Sequence, residues 1–229
     1  MMDTKFSDEL RKRMTTIKHK HFANDTIYAY LDPGDVKHIE DEVADAFQDV
    51  LKALVINTTD DHNSYATARR VAKMFVHEIF RGRYYPPPDV TAFPNAKQYD
   101  QIYMTGPITI NSTCAHHFQP IAGKAYVGIF PGEKVIGLSK FNRLVDWIAS
   151  RPQIQEEMTE QIADEIEKQT EAKGVAVVLK AKHFCMSARG VKEHDSDMLT
   201  SVVRGMFLRS TSMKTEFFSL LNNMKGMRE

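Results

Sequence analysis

Cysteine is nearly missing from this chain, with two among 229 residues. Two thiols cannot build a disulfide framework, which excludes the small secreted scaffolds that depend on one. Long apolar runs are missing as well. No stretch approaches the roughly 18 consecutive apolar residues of a membrane helix, so no membrane passage is expected. The opening residues, Met1-Met2-Asp3-Thr4-Lys5-Phe6, carry no apolar signal segment. Export is therefore not expected, and a cytoplasmic setting is. Neither charge is in excess, because 30 Lys and Arg balance 30 Asp and Glu. General nucleic-acid binding needs a basic excess or a basic face, so it is not expected. A local cation cluster for a small anion remains compatible with that balance. Internal repeats and low-complexity tracts are absent too. What remains is an ordinary globular composition, long enough for one large domain or a core domain with an appendage.

The pattern along the chain changes character near its middle. Over residues 4 to 18, Phe6, Leu10, Met14 and Ile17 fall at helical spacing. After the turn Asp32-Pro33-Gly34, the residues Val36, Ile39, Val43, Phe47, Val50, Leu51 and Leu54 form a helical stripe. A third helix, capped by Asn63 or Ser64, carries Val71, Met74, Phe75 and Ile79 and ends near Gly82. Pro86-Pro87-Pro88 then forces an extended linker. From about residue 99 strands dominate. Gln101 to Asn111 reads as a strand. Lys124 to Phe130 and Lys134 to Leu138, around Pro131-Gly132, read as a hairpin. Ser139 to Ala149 and Gln153 to about Ala172 read as helices, the second with Pro152 at its first turn. Gly174 to Cys185 and Leu199 to Arg209 read as strands, and Phe217, Phe218, Leu220 and Leu221 as a last helix. Strands that bracket a helix pair predict an α+β fold, an antiparallel sheet with helices packed on one face. The division falls between an N-terminal helical region, 1–95, and a strand-rich domain, 96–229.

Both cysteines stand beside histidines, in Cys114-Ala115-His116-His117 and His183-Phe184-Cys185. Thiolate and imidazole are ligand types that divalent zinc favours. Cys114 and His117 are three apart and can face one ion from a single tight turn, with Cys185 arriving from a distant strand. Three protein ligands leave a fourth position for water, as in catalytic zinc sites. A closed structural zinc is the alternative, with His116 or His183 completing the set. A Cys–His nucleophile pair is another, although it leaves one cysteine idle. His116 and His183 adjoin ligand candidates and suit proton transfer near neutral pH. Strand alternation places residues 183 and 185 on the same face.

Cations and carboxylates recur around these motifs. In Ser139-Lys140-Phe141-Asn142-Arg143, Lys140 and Arg143 share one side of a helix start, where free N–H groups favour an anion. An ordinary N-cap with solvated charges explains the same residues. Arg69, Arg70 and Lys73 lie on the third helix, and Arg189 follows Cys185. Gln155, Glu156 and Glu157 open a helix, where acidic residues suit the dipole. A carboxylate there also suits a ligand edge with paired N–H donors, such as guanine.

These motifs together resemble the type I GTP cyclohydrolases. The resemblance rests on Ser112-Thr113-Cys114-Ala115-His116-His117-Phe118, Gly137-Leu138-Ser139-Lys140-Phe141-Asn142-Arg143, Arg151-Pro152-Gln153-Ile154-Gln155-Glu156 and His183-Phe184-Cys185-Met186-Ser187-Ala188-Arg189-Gly190, with Arg70-Val71-Ala72-Lys73-Met74 similar to the family's phosphate-contacting helix. Order and spacing agree from about residue 60 onward. The resemblance implies a tunnelling fold, a ring-shaped homodecamer with active sites shared between subunits, and conversion of GTP and water to 7,8-dihydroneopterin triphosphate and formate. It implies Cys114, His117 and Cys185 as ligands of Zn2+, and His116 and His183 as proton carriers. It implies that Glu156, with Gln155, holds the guanine, and that Ser139, Lys140, Arg143, Arg189, Arg70 and Lys73 bind the ribose triphosphate. Ala115 stands where the family usually has Glu, and Ala68 where it often has Pro; neither is a ligand position. A related tunnelling-fold enzyme with another purine or pterin substrate, and a catalytically silent nucleotide-binding ring, are the alternatives.

Overall fold

The structure is a computed structural model that describes residues 5–16 and 21–226. The chain divides into two compact units, Met1–Pro86 and Pro87–Glu229. In the first, α1 (Phe6–Thr16) and α2 (Asp35–Ala53) are joined by a loop with a short 3-10 turn at Tyr28–Tyr30. Leu10 and Met14 of α1 pack with Ile27, Ile39 of α2 and Val76 in a small core. Ile17, the last residue of the expected α1 stripe, lies outside the described residues. The third helical segment is not uniform and is interrupted by a turn at Phe80. It runs as α3 (Thr67–Lys73), a π-helical stretch (Met74–Ile79) and α4 (Arg81–Tyr84). Arg83 of α4 donates to the carbonyls of Phe22, Ala23 and Asp25, which ties the α1–α2 loop down.

The second unit is built on a five-stranded sheet. Its strands are β2 (Tyr103–Cys114), β3 (Pro120–Phe130), β5 (Pro152–Gln153), β6 (Gly174–His183) and β7 (Met198–Val203), in the order β5-β2-β3-β6-β7. All pairings are antiparallel except β2 with β5. A separate antiparallel pair joins β1 (Ala92–Pro94) to β4 (Lys134–Ile136). Side chains alternate across the sheet, as a pleated strand requires. Ala125, Val127 and Ile129 of β3 and Val175, Val177 and Leu179 of β6 face α5 (Leu138–Ala149) and α6 (Gln155–Thr170), which contribute Phe141, Leu144, Ile148, Met158, Ile162 and Ile166. This main core is an α+β arrangement, with the helix pair on one face of an antiparallel sheet. Each large apolar side chain buried there contributes about 1.5–3 kcal/mol.

The opposite face has a smaller core. Tyr126, Phe130, Ala176 and Val178 meet Phe207 of α8 (Met206–Arg209) and Phe217 and Leu221 of α9 (Thr211–Gly226). Gly128 makes this docking possible, because a Cβ there would lie 2.5 Å from the Phe217 ring.

Several local expectations change. The expected hairpin of Lys124–Phe130 with Lys134–Leu138 does not form. Both edges of β3 are taken along their length by β2 and β6, so β4 pairs with β1 instead. The strand expected over 199–209 stops at Val203. Gly205, at φ 57, turns the backbone so that Met206 N–H donates to the Lys173 carbonyl (2.9 Å). Any side chain on Gly205 would collide with that carbonyl, and α8 follows. β6 ends at His183, and Cys185 sits in a helical turn, α7 (Phe184–Ser187). Strand alternation therefore does not relate residues 183 and 185. Pro152 lies in β5, not in the first turn of α6. No helix among the described residues is long and apolar enough to cross a membrane.

Candidate metal centre

Strand direction gathers the thiols. β2 and β6 both run antiparallel to β3, so they run parallel to each other and end at the same edge of the sheet. Cys114 is the last residue of β2 and His183 the last of β6, which pairs with Ile121 near the start of β3. After Cys114 the backbone folds back at once. Phe118 N–H donates to the Cys114 carbonyl (2.9 Å), and Cys114 N–H to the Gln119 carbonyl (2.8 Å). β5 holds the other side of the turn, where Ala115 N–H donates to the Gln153 carbonyl (2.9 Å). The α7 turn brings Cys185 back toward the end of β6.

As a result, ligand atoms of Cys114, His183 and Cys185 all lie within 4.8 Å of one another. Zinc bonds of about 2.3 Å to sulfur and 2.0 Å to nitrogen set tetrahedral ligand atoms roughly 3.5–3.8 Å apart. The donor set and its span fit such an ion after a small contraction. Cys114 is buried and Cys185 partly so. Burial, reinforced by the neighbouring Cys114 thiol, pushes the Cys185 thiol above its ordinary pKa, and Arg189 pulls weakly the other way. Without a cation the Cys185 side chain is thus favoured as the neutral thiol. A divalent ion reverses that, because coordinated thiols are deprotonated.

His183 is fixed from behind. Its Nε2 lies 2.7 Å from Oε1 of Gln155, the fully buried first residue of α6. Burial pushes the His183 pKa below its ordinary value, and the Glu156 carboxylate opposes that shift.

Comparison with known proteins identifies the family. The family model described as GTP cyclohydrolase I matches residues 43–222. A GTP cyclohydrolase 1 of Actinobacillus pleuropneumoniae serotype 5b is 41% identical over 182 residues, covering 79% of this chain and 83% of that protein. One from Haemophilus influenzae (strain Rd) is 39% identical over 191 residues, covering 82% and 87%. This chain belongs to the GTP cyclohydrolase I family. A looser likeness, at TM-score 0.36 and 15% identity, is to the apo structure of an archaeosine synthase QueF-like protein; it covers 46% of this chain and 92% of that one.

The other residues singled out by the family motifs are placed as follows. His116 and His117 occupy the tight turn after β2, both exposed, with ring centroids 6.3 Å apart. The structure does not bring His117 into the thiol cluster; His183 is the imidazole found there. Glu156 is exposed in the first turn of α6. Gln155 is not exposed, and its side chain is engaged by protein on every side. Ser139, Lys140 and Arg143 lie in the first turns of α5, whose N-cap is Gly137, not Ser139. Lys140 Nζ donates to the Asp89 carbonyl (2.8 Å), while Ser139 and Arg143 are not buried. Arg189 is exposed just beyond α7, and Arg70 and Lys73 are exposed on α3 in the first unit.

Gln153 belongs to one of the quoted motifs but was given no role of its own. It pairs with Cys114 across the sheet, is fully buried, and donates to the Ile148 carbonyl and to Gln161. Its amide nitrogen is satisfied from the core side while its Oε1 is buried without a partner among the described residues, and the sequence, which reads Gln153 as a helix start, carried no signal of this.

Proposed function

We propose that this chain hydrolyses GTP to 7,8-dihydroneopterin triphosphate and formate at a zinc site, in the cytoplasm, as a homodecamer with active sites shared between subunits. The observation that carries the reading is the convergence of Cys114, Cys185 and His183 at one sheet edge in a member of this family. In this reading Cys114, Cys185 and His117 hold the ion, and His183 stands beside it. A bound zinc supplies Lewis acidity that makes water a competent nucleophile near neutral pH. The rest belongs to the chain's own residues. Glu156 receives the paired N–H donors of the guanine edge and orients the purine. Ser139, Lys140, Arg143, Arg189, Arg70 and Lys73 anchor the triphosphate while the sugar rearranges. His183 and His116 move protons as the imidazole ring opens, formate leaves and the pterin ring closes.

One observation favours a second assignment of the third ligand. His183 already lies with the thiols, and its Nε2 is held by Gln155, as the outer nitrogen of a metal-bound histidine usually is. The zinc contents of His117→Ala and His183→Ala separate the two, because the true ligand is the one whose loss empties the site. For the activity itself, the test is purified protein with GTP, read as released formate and as the fluorescence of the oxidised pterin. Absence of formate with zinc bound would reject the reading.

A further inference from the structure

We infer that Gln155 is a positioning residue that locks His183 in the tautomer protonated at Nε2, leaving Nδ1 as its only basic nitrogen. The Gln155 amide has a single permitted orientation. Its nitrogen lies 3.2 Å from the Leu179 carbonyl, 3.0 Å from the Met198 carbonyl and 3.2 Å from the Thr200 hydroxyl. Two of these three are carbonyls, which accept and never donate. Rotating the amide by half a turn would press its oxygen against both in a site with no water-exposed surface, at full desolvation cost. The nitrogen is therefore on the carbonyl side, and Oε1 faces His183.

The hydroxyls close the network. Thr159 Oγ1 lies 2.7 Å from the Gln155 carbonyl and 2.7 Å from Thr200 Oγ1. Thr159 spends its single hydrogen on that carbonyl, so Thr200 donates to Thr159 and is left to accept from the Gln155 amide. Both threonine hydrogens are thereby placed, and the two hydrogens of the Gln155 amide are shared among three acceptors. The network joins α6, β6 and β7, so the orientation is set by tertiary structure and not by one flexible contact.

The consequence falls on His183. Oε1 of an amide only accepts, and it lies 2.7 Å from Nε2. A neutral imidazole carries one N–H. Gln155 takes that hydrogen at Nε2 and thereby places the lone pair on Nδ1. Exchange between tautomers, which an unrestrained histidine undergoes freely, would break this bond and leave Oε1 buried without a donor. This role replaces the direct contact with a ligand edge expected for Gln155. It deepens the proposed function and rests on it, since a proton carrier or ligand beside the thiols must present one defined nitrogen.

The test combines a spectroscopic readout with a kinetic split. Metal-free protein labelled with 15N at histidine, with His183 assigned by difference against His183→Ala, reports the tautomer by solid-state NMR. The wild-type protein is expected to show His183 protonated at Nε2; an Nδ1-protonated or mixed signal there overturns the inference with no variant needed. Gln155→Met is expected to lose that signature and to lower kcat by about 10- to 100-fold, the range for a group that orients a metal-site histidine, with KM for GTP unchanged. Gln155→Glu sets a second oxygen against the Leu179 and Met198 carbonyls and is not expected to restore the signature; full recovery of tautomer and kcat in that variant would overturn the argument from the amide nitrogen. An unchanged kcat and tautomer in Gln155→Met reject the role. Should the wild-type protein release no formate, the proposed function fails, while the tautomer measurement still decides the role of Gln155 independently.

Discussion

The face of the sheet opposite α5 and α6 depends on one glycine and one ring, and their coupling is measurable. Gly128 has no side chain where the edge of Phe217 sits, and an added Cβ would lie 2.5 Å from both Cδ2 and Cε2 of that fully buried ring. Ordinary contact needs roughly 1 Å more. Gly128→Ala therefore forces α9 outward or the ring off its rotamer, which costs about 1–3 kcal/mol for overpacking. The gain from stiffening a strand glycine, about 0.5–1 kcal/mol, offsets part of that. Phe217→Leu alone loses packing against Phe207 and Phe218, whose rings stand 5.5 Å and 5.1 Å away, and should cost about 1–2 kcal/mol. In the double variant the leucine no longer fills the place of the ring edge, and the new methyl occupies it. The combined loss should fall short of the sum by about 1–2 kcal/mol, well beyond the spread expected of independent sites. The assay is denaturant unfolding of all four proteins at one fixed concentration, followed by fluorescence of the single Trp147, which is buried in the other core. Additivity within about 0.5 kcal/mol would refute a direct contact between Gly128 and the Phe217 ring.

Three further outcomes are expected. Cys185→Ser should bind less than about a tenth of the wild-type zinc at equal free metal and lose turnover with it, since one of two soft ligands is gone; full zinc loading measured by metal analysis would remove Cys185 from the site. His183→Ala should keep its zinc and lower kcat by about 100-fold or more, the contribution of a positioned acid–base group; an unchanged turnover number would end its role in proton transfer. Burial pushes the Tyr103 phenol from 10.0 up to about 12. The unfolded chain then ionises before the folded one, so this stability is complete below pH 10 and lost as pH rises through about 12. Tyr103→Phe should lessen that decline in unfolding midpoint and remove one late tyrosinate absorbance step, while Tyr84 and Tyr85, also raised by burial, still contribute; the same decline in both proteins would show that Tyr103 titrates normally.

The chemistry of the candidate site was legible because it is local. Cys114-Ala115-His116-His117 and His183-Phe184-Cys185 announce ligand types through residue identity alone, and the stripe of α2 announces a helix through period. Elements whose partners lie elsewhere in the chain were not legible. The run from Lys134 has strand character whichever neighbour it finds. Only the occupation of both β3 edges sends it to β1. Gln155 looked like a ligand-facing amide at a helix start, and nothing in its neighbours along the chain says that two carbonyls, one from β6 and one from β7, wait on the other side.

By itself, then, the sequence determined which atoms can bind a metal, which of the long segments are helical, and that charge and hydropathy favour neither nucleic acid nor membrane. Tertiary structure decided which imidazole meets the thiols and which way that imidazole is turned. Composition and period act over a few residues. The convergence of Cys114 with Cys185, and the hydrogen bond that orders His183, depend on parallel strand ends and on hydrogen-bond partners brought from distant elements.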